Sequence, residues 1–318
     1  MNDVEKCLVI GGGGFIGAHV VRFLVKKGMR VRVFDRNDTL ALKNLMGVSG
    51  LEFLWGDISN LDDLNNAMEG ISQIVYLVHS TFPAKSMGDM AFDVESNIPP
   101  LIRVFDLARK RPLIDSFVYL SSGGTVYGES GQLQPISEDH QTRPICSYGL
   151  TKLIAEHYAR LAFRGTHIRS YVLRASNAYG EWQDLHRPQG VVGHFLKAIV
   201  KNTPVVIYGS GSIIRDYVYG GDIASAVWAC LVDRSGSSDM KTYNVGTGVG
   251  ILLSEVVDFV QAVTGKKLDI KQQPNRYFDC QYNVLDCSAI LDDLGWEAKV
   301  NLKEGIRKEW EWIQSLKI

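Results

Sequence analysis

The chain has 318 residues, enough to bury a large core in two lobes that share a cleft. A formal net charge of −1 excludes the basic surface that general nucleic-acid affinity needs, and 46% hydrophobic content is ordinary for a globular protein. No apolar run is long enough to span a bilayer, so no membrane partner is expected.

The N-terminus reaches its first strand within about eight residues and has no signal-peptide pattern. Cys7, Cys146, Cys230, Cys280 and Cys287 are an odd set without metal-ligand spacing. They read as reduced thiols of a cytoplasmic protein, with no metal expected.

Lys6-Cys7-Leu8-Val9-Ile10 reads as a buried strand running into Gly11-Gly12-Gly13-Gly14-Phe15-Ile16-Gly17. Residues 18–28 then read as a helix that ends at a glycine. Gly11, Gly14 and Gly17 stand three apart. The first permits a tight turn, the second lets a pyrophosphate approach the backbone, and the third lets helix and strand pack closely. Helix N-terminal amides then face the phosphates. The next strand, 30–34, ends at Asp35, about twenty residues beyond the glycines, where a ribose diol is held. A carboxylate there repels a 2′-phosphate and favours NAD over NADP. Arg36 is the opposing signal, since a guanidinium can pair with that phosphate.

Strand and helix continue to alternate. Strands are expected at 51–57, 73–78, 115–120 and 169–173, and helices at 61–69, 97–109 and 148–163. Pro99 and Pro100 are accommodated in the first turn of the second helix. The alternation means a parallel sheet with helices on both faces. From Ala178 the pattern loosens. A polar loop at 181–189 suits a cleft wall. A helix at 191–201, short strands at 205–208, 215–219 and 243–245, and a helix at 253–264 follow. The expected class is α/β, a Rossmann-like doubly wound parallel sheet with a smaller mixed α/β substrate-binding lobe. The first domain covers 1–177 with a return segment about 215–245, and the discontinuous second lobe covers 178–318.

Tyr148 and Lys152, four residues apart, share one face of the long helix. The ammonium can lower the phenol pKa from about 10 toward neutrality. The pair can then move a proton to or from a sugar or alcohol hydroxyl. It follows Ser121-Ser122-Gly123-Gly124-Thr125-Val126-Tyr127-Gly128.

With these features in this order, the chain resembles the extended short-chain dehydrogenase/reductase family. Within it, the chain looks like the NAD-dependent nucleotide-sugar epimerases of the UDP-glucose (UDP-galactose) 4-epimerase type. More specific than the glycine turn are Gly56-Asp57-Ile58, Leu173-Arg174-Ala175-Ser176-Asn177-Ala178-Tyr179-Gly180 and Arg215-Asp216-Tyr217-Val218-Tyr219-Gly220-Gly221-Asp222. The resemblance implies that NAD is held by Gly11, Gly14, Phe15, Ile16, Gly17, Asp35, Arg36, Leu77, Asn97, Ser121, Tyr148 and Lys152. Asp57 and Ile58 would flank its adenine. Asn177, Val191, Tyr208, Arg215, Arg276, Asp279 and Asn283 would hold a nucleotide sugar. In that set Arg215 and Arg276 clamp the diphosphate, Tyr208 lies against uracil and Asp279 accepts from the ribose. Asn283 stands where a small residue goes with acceptance of N-acetylated sugars, and its amide could bond the acetyl oxygen. Plainer readings stand beside these: Arg215 as a surface ion pair, Tyr208 as core, Asn283 as the cap of a turn at 286–288.

The same resemblance implies the reaction. Tyr148 removes the C4 hydroxyl proton, hydride passes to the cofactor, and the 4-keto sugar presents its other face for return. It also implies a homodimer through the helices starting near Asn97 and Tyr148. Three departures matter. Where many of these epimerases carry a Ser or Thr three residues before the Val, this chain has Gly123, and Ser122 or Thr125 is left to supply the hydroxyl. Gly124 and Thr125 replace the acid pair of the 4,6-dehydratases, which disfavours dehydration and the related decarboxylation. Leu77-Val78-His79-Ser80 stands where the family usually has small residues beside the nicotinamide; His79 could approach the cofactor or substrate there, but a lone His among apolar neighbours is more often structural. The rival activities are an NAD(P)-dependent nucleotide-4-keto-sugar reductase or dehydrogenase and a non-catalytic dinucleotide-sensing scaffold.

Overall fold

A computed structural model describes residues 5–36, 39–43, 45–131, 133–185, 190–209, 211–235, 239–274 and 280–316. The first half runs β1 (Lys6–Ile10), α1 (Phe15–Lys26), β2 (Arg30–Asp35), α2 (Leu40–Lys43), β3 (Leu51–Trp55), α3 (Leu61–Ala67), β4 (Gln73–Tyr76), α4 (Pro83–Ser86), α5 (Met90–Ala108), β5 (Ser116–Ser122), α6 (Ser147–Phe163) and β6 (Arg169–Ala175). The second runs β7 (Asn177–Tyr179), α7 (Val191–Lys201), β8 (Val205–Tyr208), β9 (Ile214–Arg215), β10 (Tyr217–Tyr219), α8 (Gly220–Val232), β11 (Lys241–Val245), β12 (Ile251–Leu252), α9 (Leu253–Thr264), β13 (Ile270–Gln273), β14 (Tyr282–Asn283), α10 (Ser288–Leu294) and α11 (Leu302–Ser315).

Seven strands form one parallel sheet in the order β11-β6-β5-β4-β1-β2-β3. The order reverses between β1 and β4, and the loops after these two strands part there to leave a crevice. The glycine turn follows β1, residues 77–80 follow β4, and β5 ends at Ser122. The sheet's topology therefore brings those three segments to one edge.

Both faces are apolar because helices cover both. On one, Val20, Val21 and Leu24 of α1 meet Ile223, Ala224 and Val227 of α8. On the other, Leu64, Leu101, Phe105, Ala155, Ala159 and Phe163 come from α3, α5 and α6. Phe105 and Phe163 pack on Phe117 of β5 with ring centroids 5.3 and 5.0 Å away. Burying each such ring is worth about 2 to 3 kcal/mol. A separate core of Phe195, Leu196, Val256, Val260, Ile306 and Trp310 holds α7, α9 and α11 together.

Two elements depart from the pattern-based expectation. Helix α5 begins at Met90, not near Asn97, so Pro99 and Pro100 lie inside it. Asp89 caps the true start, its Oδ1 accepting from Phe92 N at 2.9 Å. Ile98, Leu101, Val104 and Phe105 bury the face that keeps the helix intact across the prolines. Residues 215–219 are not one strand. Arg215 belongs to β9 and Tyr217 to β10, in different sheets, and the buried Asp216 sits at the break. Its carboxylate accepts from Thr247 N and Oγ1 at 2.9 and 2.7 Å, and from Gly248 N at 3.2 Å. Helices α8 and α11 have no counterpart in the sequence reading, although Asn301 caps α11 by accepting from Glu304 N at 3.0 Å.

Candidate active site

The glycine turn is as tight as its spacing predicts. Gly11 has φ +84°, and its N–H donates to Phe34 O at 2.8 Å. A Cβ at Gly17 would lie 2.2 Å from Gly11 O, so only glycine lets α1 close on the turn. The first amides of α1, from Phe15 onward, have no partner within the helix and are suited to an anion. Asp35 ends β2 against this turn. Its Oδ2 accepts from Gly13 N and its Oδ1 from Arg36 N, both at 2.8 Å. Arg36 itself is exposed. Asp57 is half-buried, and the Ser59 N–H, 2.7 Å from its Oδ1, holds its carboxyl below the ordinary range. Ile58 packs on the sheet core beside it.

Tyr148 and Lys152 lie in the first turns of α6. Lys152 is 3% exposed, and its Nζ donates to Leu120 O at 2.8 Å. The same nitrogen lies 5.8 Å from the Tyr148 ring centroid. Burial draws the ammonium down to about 7. The Tyr148 phenol is not lowered as its spacing from Lys152 predicts. Burial pushes it up to about 12, against a hydrogen bond shared with Ser122.

That bond separates the candidate hydroxyls. Ser122 reaches Tyr148, whereas Thr125 Oγ1 is buried without a hydrogen-bond partner among the described residues. Gly123 has a steric cause: a Cβ there would meet Leu285 Cδ1 at 2.6 Å and Arg174 O at 2.8 Å. The Ser121 hydroxyl is taken by Glu156, which pairs with Arg174 at 2.7 Å, and Arg174 Nη1 in turn donates to Tyr127 OH at 3.0 Å. This buried network sets the underside of the segment.

Asn97 likewise turns its amide inward. Its Oδ1 accepts from Ser80 N at 2.8 Å and its Nδ2 donates to Asp93 O at 2.7 Å, which fixes the loop carrying Leu77. In that loop the His79 ring meets Tyr148 edge to face, centroids 4.5 Å apart. Burial, with Lys152 nearby, lowers His79 to about 4 and keeps it neutral. Asp93, beneath it, is a site residue that the sequence reading misses. Its one signal is the placement of an acid one turn before Asn97.

On the opposite wall, Asn177 Nδ2 donates to Asp216 O at 3.0 Å. Arg215 pairs with Asn283 across β9 and β14. Its Nη1 donates to Ile214 O at 2.9 Å and its Nη2 to Cys280 O, which leaves other guanidinium donors for a ligand. Asn283 is 1% exposed, and its Nδ2 donates to Gly123 O at 3.1 Å. It therefore braces the Ser122 segment rather than a turn at 286–288, and its buried Oδ1 has no hydrogen-bond partner among the described residues. Tyr208 ends β8 and Val191 opens α7, both half-buried in the smaller lobe. Arg276 and Asp279 lie outside the described residues.

Comparison with known proteins identifies the family. The chain is 32% identical over 309 residues to a protein of Methanocaldococcus jannaschii provisionally named UDP-glucose 4-epimerase, covering 97% of this chain and 98% of the relative. It is 30% identical to the dTDP-4-dehydro-6-deoxyglucose reductase of Escherichia coli, over 95% of each chain. The crystal structure of Thermotoga maritima UDP-glucose 4-epimerase with UDP-glucose superposes with a TM-score of 0.90 at 28% identity, covering 99% of this chain and 100% of that one. The model of the NAD dependent epimerase/dehydratase family matches residues 7–246, and the chain belongs to that family.

Proposed function

We propose UDP-glucose and UDP-galactose as the pair that this NAD-dependent nucleotide-sugar 4-epimerase interconverts. One observation carries the assignment of residues. Tyr148 is hydrogen-bonded to Ser122 and neighboured by Lys152; its ring meets His79, whose neighbour Val78 lies against Gly11 of the glycine turn, and Gly124 beside Ser122 faces Asn177. The Thermotoga maritima relative, solved with UDP-glucose, supports the choice of sugar nucleotide.

The residues present fit a dinucleotide. The turn leaves no room for a side chain at Gly17, and the α1 amides and the Asp35 carboxylate offer the donors and acceptor a pyrophosphate and a ribose diol need. Gly11, Gly14, Phe15, Ile16 and Gly17 would hold the pyrophosphate, Asp35 the ribose, Asp57 and Ile58 the adenine. Bound there, NAD⁺ supplies hydride acceptor and donor for C4 and a positive charge that favours the phenolate.

Tyr148 takes the proton from the C4 hydroxyl and later returns it, and Ser122 orients that hydroxyl. Lys152 holds the nicotinamide ribose. Arg215 and Asn177 grip the diphosphate and leave the sugar free to turn, which return of hydride to the other face requires. The bond to Gly123 O uses one of the two Nδ2 protons of Asn283, so its amide can meet an acetamido group either through Oδ1, at the N–H, or through the second Nδ2 proton, at the acetyl oxygen. On that ground UDP-GlcNAc and UDP-GalNAc are included as substrates.

Helices α5 and α6 expose Met90, Phe92, Val94, Leu150, Tyr158 and Leu161, and a homodimer through this pair of helices is part of the proposal. Among the described residues no helix is long and apolar enough to cross a membrane. The five cysteines are unpaired, which suits a reducing cytoplasm.

The Escherichia coli relative favours a second reading, net reduction of a 4-keto sugar. Incubating the protein with UDP-, dTDP- and GDP-linked hexoses and resolving the epimers tests the first reading. Appearance of UDP-galactose from UDP-glucose is the expected outcome. Conversion confined to 4-keto sugars, at one NADH or NADPH each, establishes the second.

A further inference from the structure

His79 and Asp93 form a pair that neither the glycine turn nor the Tyr148–Lys152 pair explains. Asp93 lies on α5 with no exposed surface. Four side chains donate to its carboxylate. Thr81 Oγ1 and Asn97 Nδ2, the latter at 3.1 Å, reach Oδ1, while Ser147 Oγ at 2.6 Å and Thr151 Oγ1 at 3.2 Å reach Oδ2. Burial opposes its charge, but neighbouring His79, Ser147 and Thr81 outweigh that and hold the carboxyl at about 2. The donors come from the loop after β4, from α5 and from the start of α6, so one buried charge ties three elements together. Ser147 is the residue immediately before Tyr148.

His79 continues the chain of contacts to the phenol. Its buried Nε2 lies 3.5 Å from Asp93 Oδ1, in contact but without a hydrogen-bond partner among the described residues. Its ring meets the Tyr148 ring at an interplanar angle of 73°. The carboxylate is already met by Thr81, Asn97, Ser147 and Thr151, so its contact with His79 holds that ring in place against a fixed neighbour rather than completing Asp93.

We infer that His79, steadied by Asp93, is a positioning residue that fixes the plane of the Tyr148 ring for proton transfer at the sugar hydroxyl. The inference rests on the reading of Tyr148 as the proton-transferring group. A displacement of about 1 Å at a reacting group costs about a hundredfold in rate, so a free ring carries a kinetic penalty.

The test compares the full-length wild type with His79→Ala, His79→Asn and His79→Phe, each checked for folding by circular dichroism and for bound NAD. The ring-flip rate of Tyr148 is read by NMR on ¹³C-labelled tyrosine, and kcat and KM are read with UDP-glucose. His79→Ala and His79→Asn are expected to flip at least about ten times faster, with kcat down about 10- to 100-fold and KM within about threefold. His79→Phe, which keeps a ring edge against the phenol, is expected to recover both to within about threefold. An unchanged flip rate in the Ala and Asn variants overturns the inference, and so does a Phe variant no better than Ala. A wild type without turnover whose flip rate still responds to His79 sustains the positioning and refutes the proposed substrate.

Discussion

The side-chain amide of Asn283 donates to the carbonyl of Gly123 across 3.1 Å, tying the strand that follows the arginine-bearing segment to the catalytic hydroxyl segment. In the proposed assignment, substrate breadth and catalysis meet at this one hydrogen bond. Asn283→Tyr is expected to abolish turnover of UDP-GlcNAc and, because it also removes the brace on Gly123, to lower that of UDP-glucose by a smaller factor. Because the position is 1% exposed, overpacking there is expected to cost about 1 to 3 kcal/mol of stability as well. Steady-state kinetics on both sugars checks this. Equal loss of both contradicts a gate at this residue.

The hydroxyl at the phenol is the second point. Ser122→Ala is expected to lower kcat about tenfold or more. Thr125→Val removes a buried hydroxyl that has no hydrogen-bond partner among the described residues and is expected to stay within about threefold of wild type. Gly123→Ser, made to restore the residue many relatives carry, is expected to destabilise by about 1 to 3 kcal/mol, because its Cβ meets Leu285 and the Arg174 backbone. Urea unfolding of the variant, beside its kcat, is the measurement. A stable and faster Gly123→Ser variant refutes the steric account.

Cofactor choice turns on Asp35. Its carboxylate is anchored by Gly13 N and Arg36 N where a 2′-phosphate would need room. NAD is expected to bind at least about tenfold more tightly than NADP, and Asp35→Ala to erase the difference. Calorimetric titration of both nucleotides decides it. Tighter NADP binding by the wild type assigns recognition to Arg36 instead.

Much of this was legible in the chain because it depends on local rules. The glycine turn, the helix face shared by Tyr148 and Lys152, and the elements α7, β8 and α9 follow from spacing and periodicity. What was hidden depends on distant residues. Asp216 splits a strand because Thr247 and Gly248 supply its donors. Gly123 is small because Leu285 stands over it. Asp93 falls before the helix expected at 97–109, and its donors Thr81, Ser147 and Thr151 converge on it only in the fold. The start of α5 was missed because the prolines are a stronger local signal than the Asp89 cap.

Two buried histidines contribute to the acid limb of stability. Burial lowers His79 to about 4 and His19 to about 3, from an ordinary 6.5. The unfolded chain therefore takes up protons first as the pH falls. Stability from these groups is complete above pH 6.5 and is lost on descent toward the folded values. Each is worth on the order of 3 kcal/mol between pH 7 and 4. Glu138, Asp216, Asp222 and Glu309, raised by burial, act with the opposite sign, so the expected signature is a difference: from pH 7 to 4.5 the urea midpoint of His79→Phe falls less than that of wild type. Parallel curves for the two proteins contradict it.

The most direct measurement is turnover of UDP-galactose by wild type and Tyr148→Phe with no nucleotide added, followed by release of bound cofactor on denaturation. Wild type is expected to form UDP-glucose with NAD already bound and no net change in NADH. Tyr148→Phe is expected to retain NAD and lose about a hundredfold or more in kcat. Near-normal turnover by the Phe variant, or conversion that consumes one reduced nicotinamide per sugar, contradicts a resident-cofactor 4-epimerase worked by Tyr148.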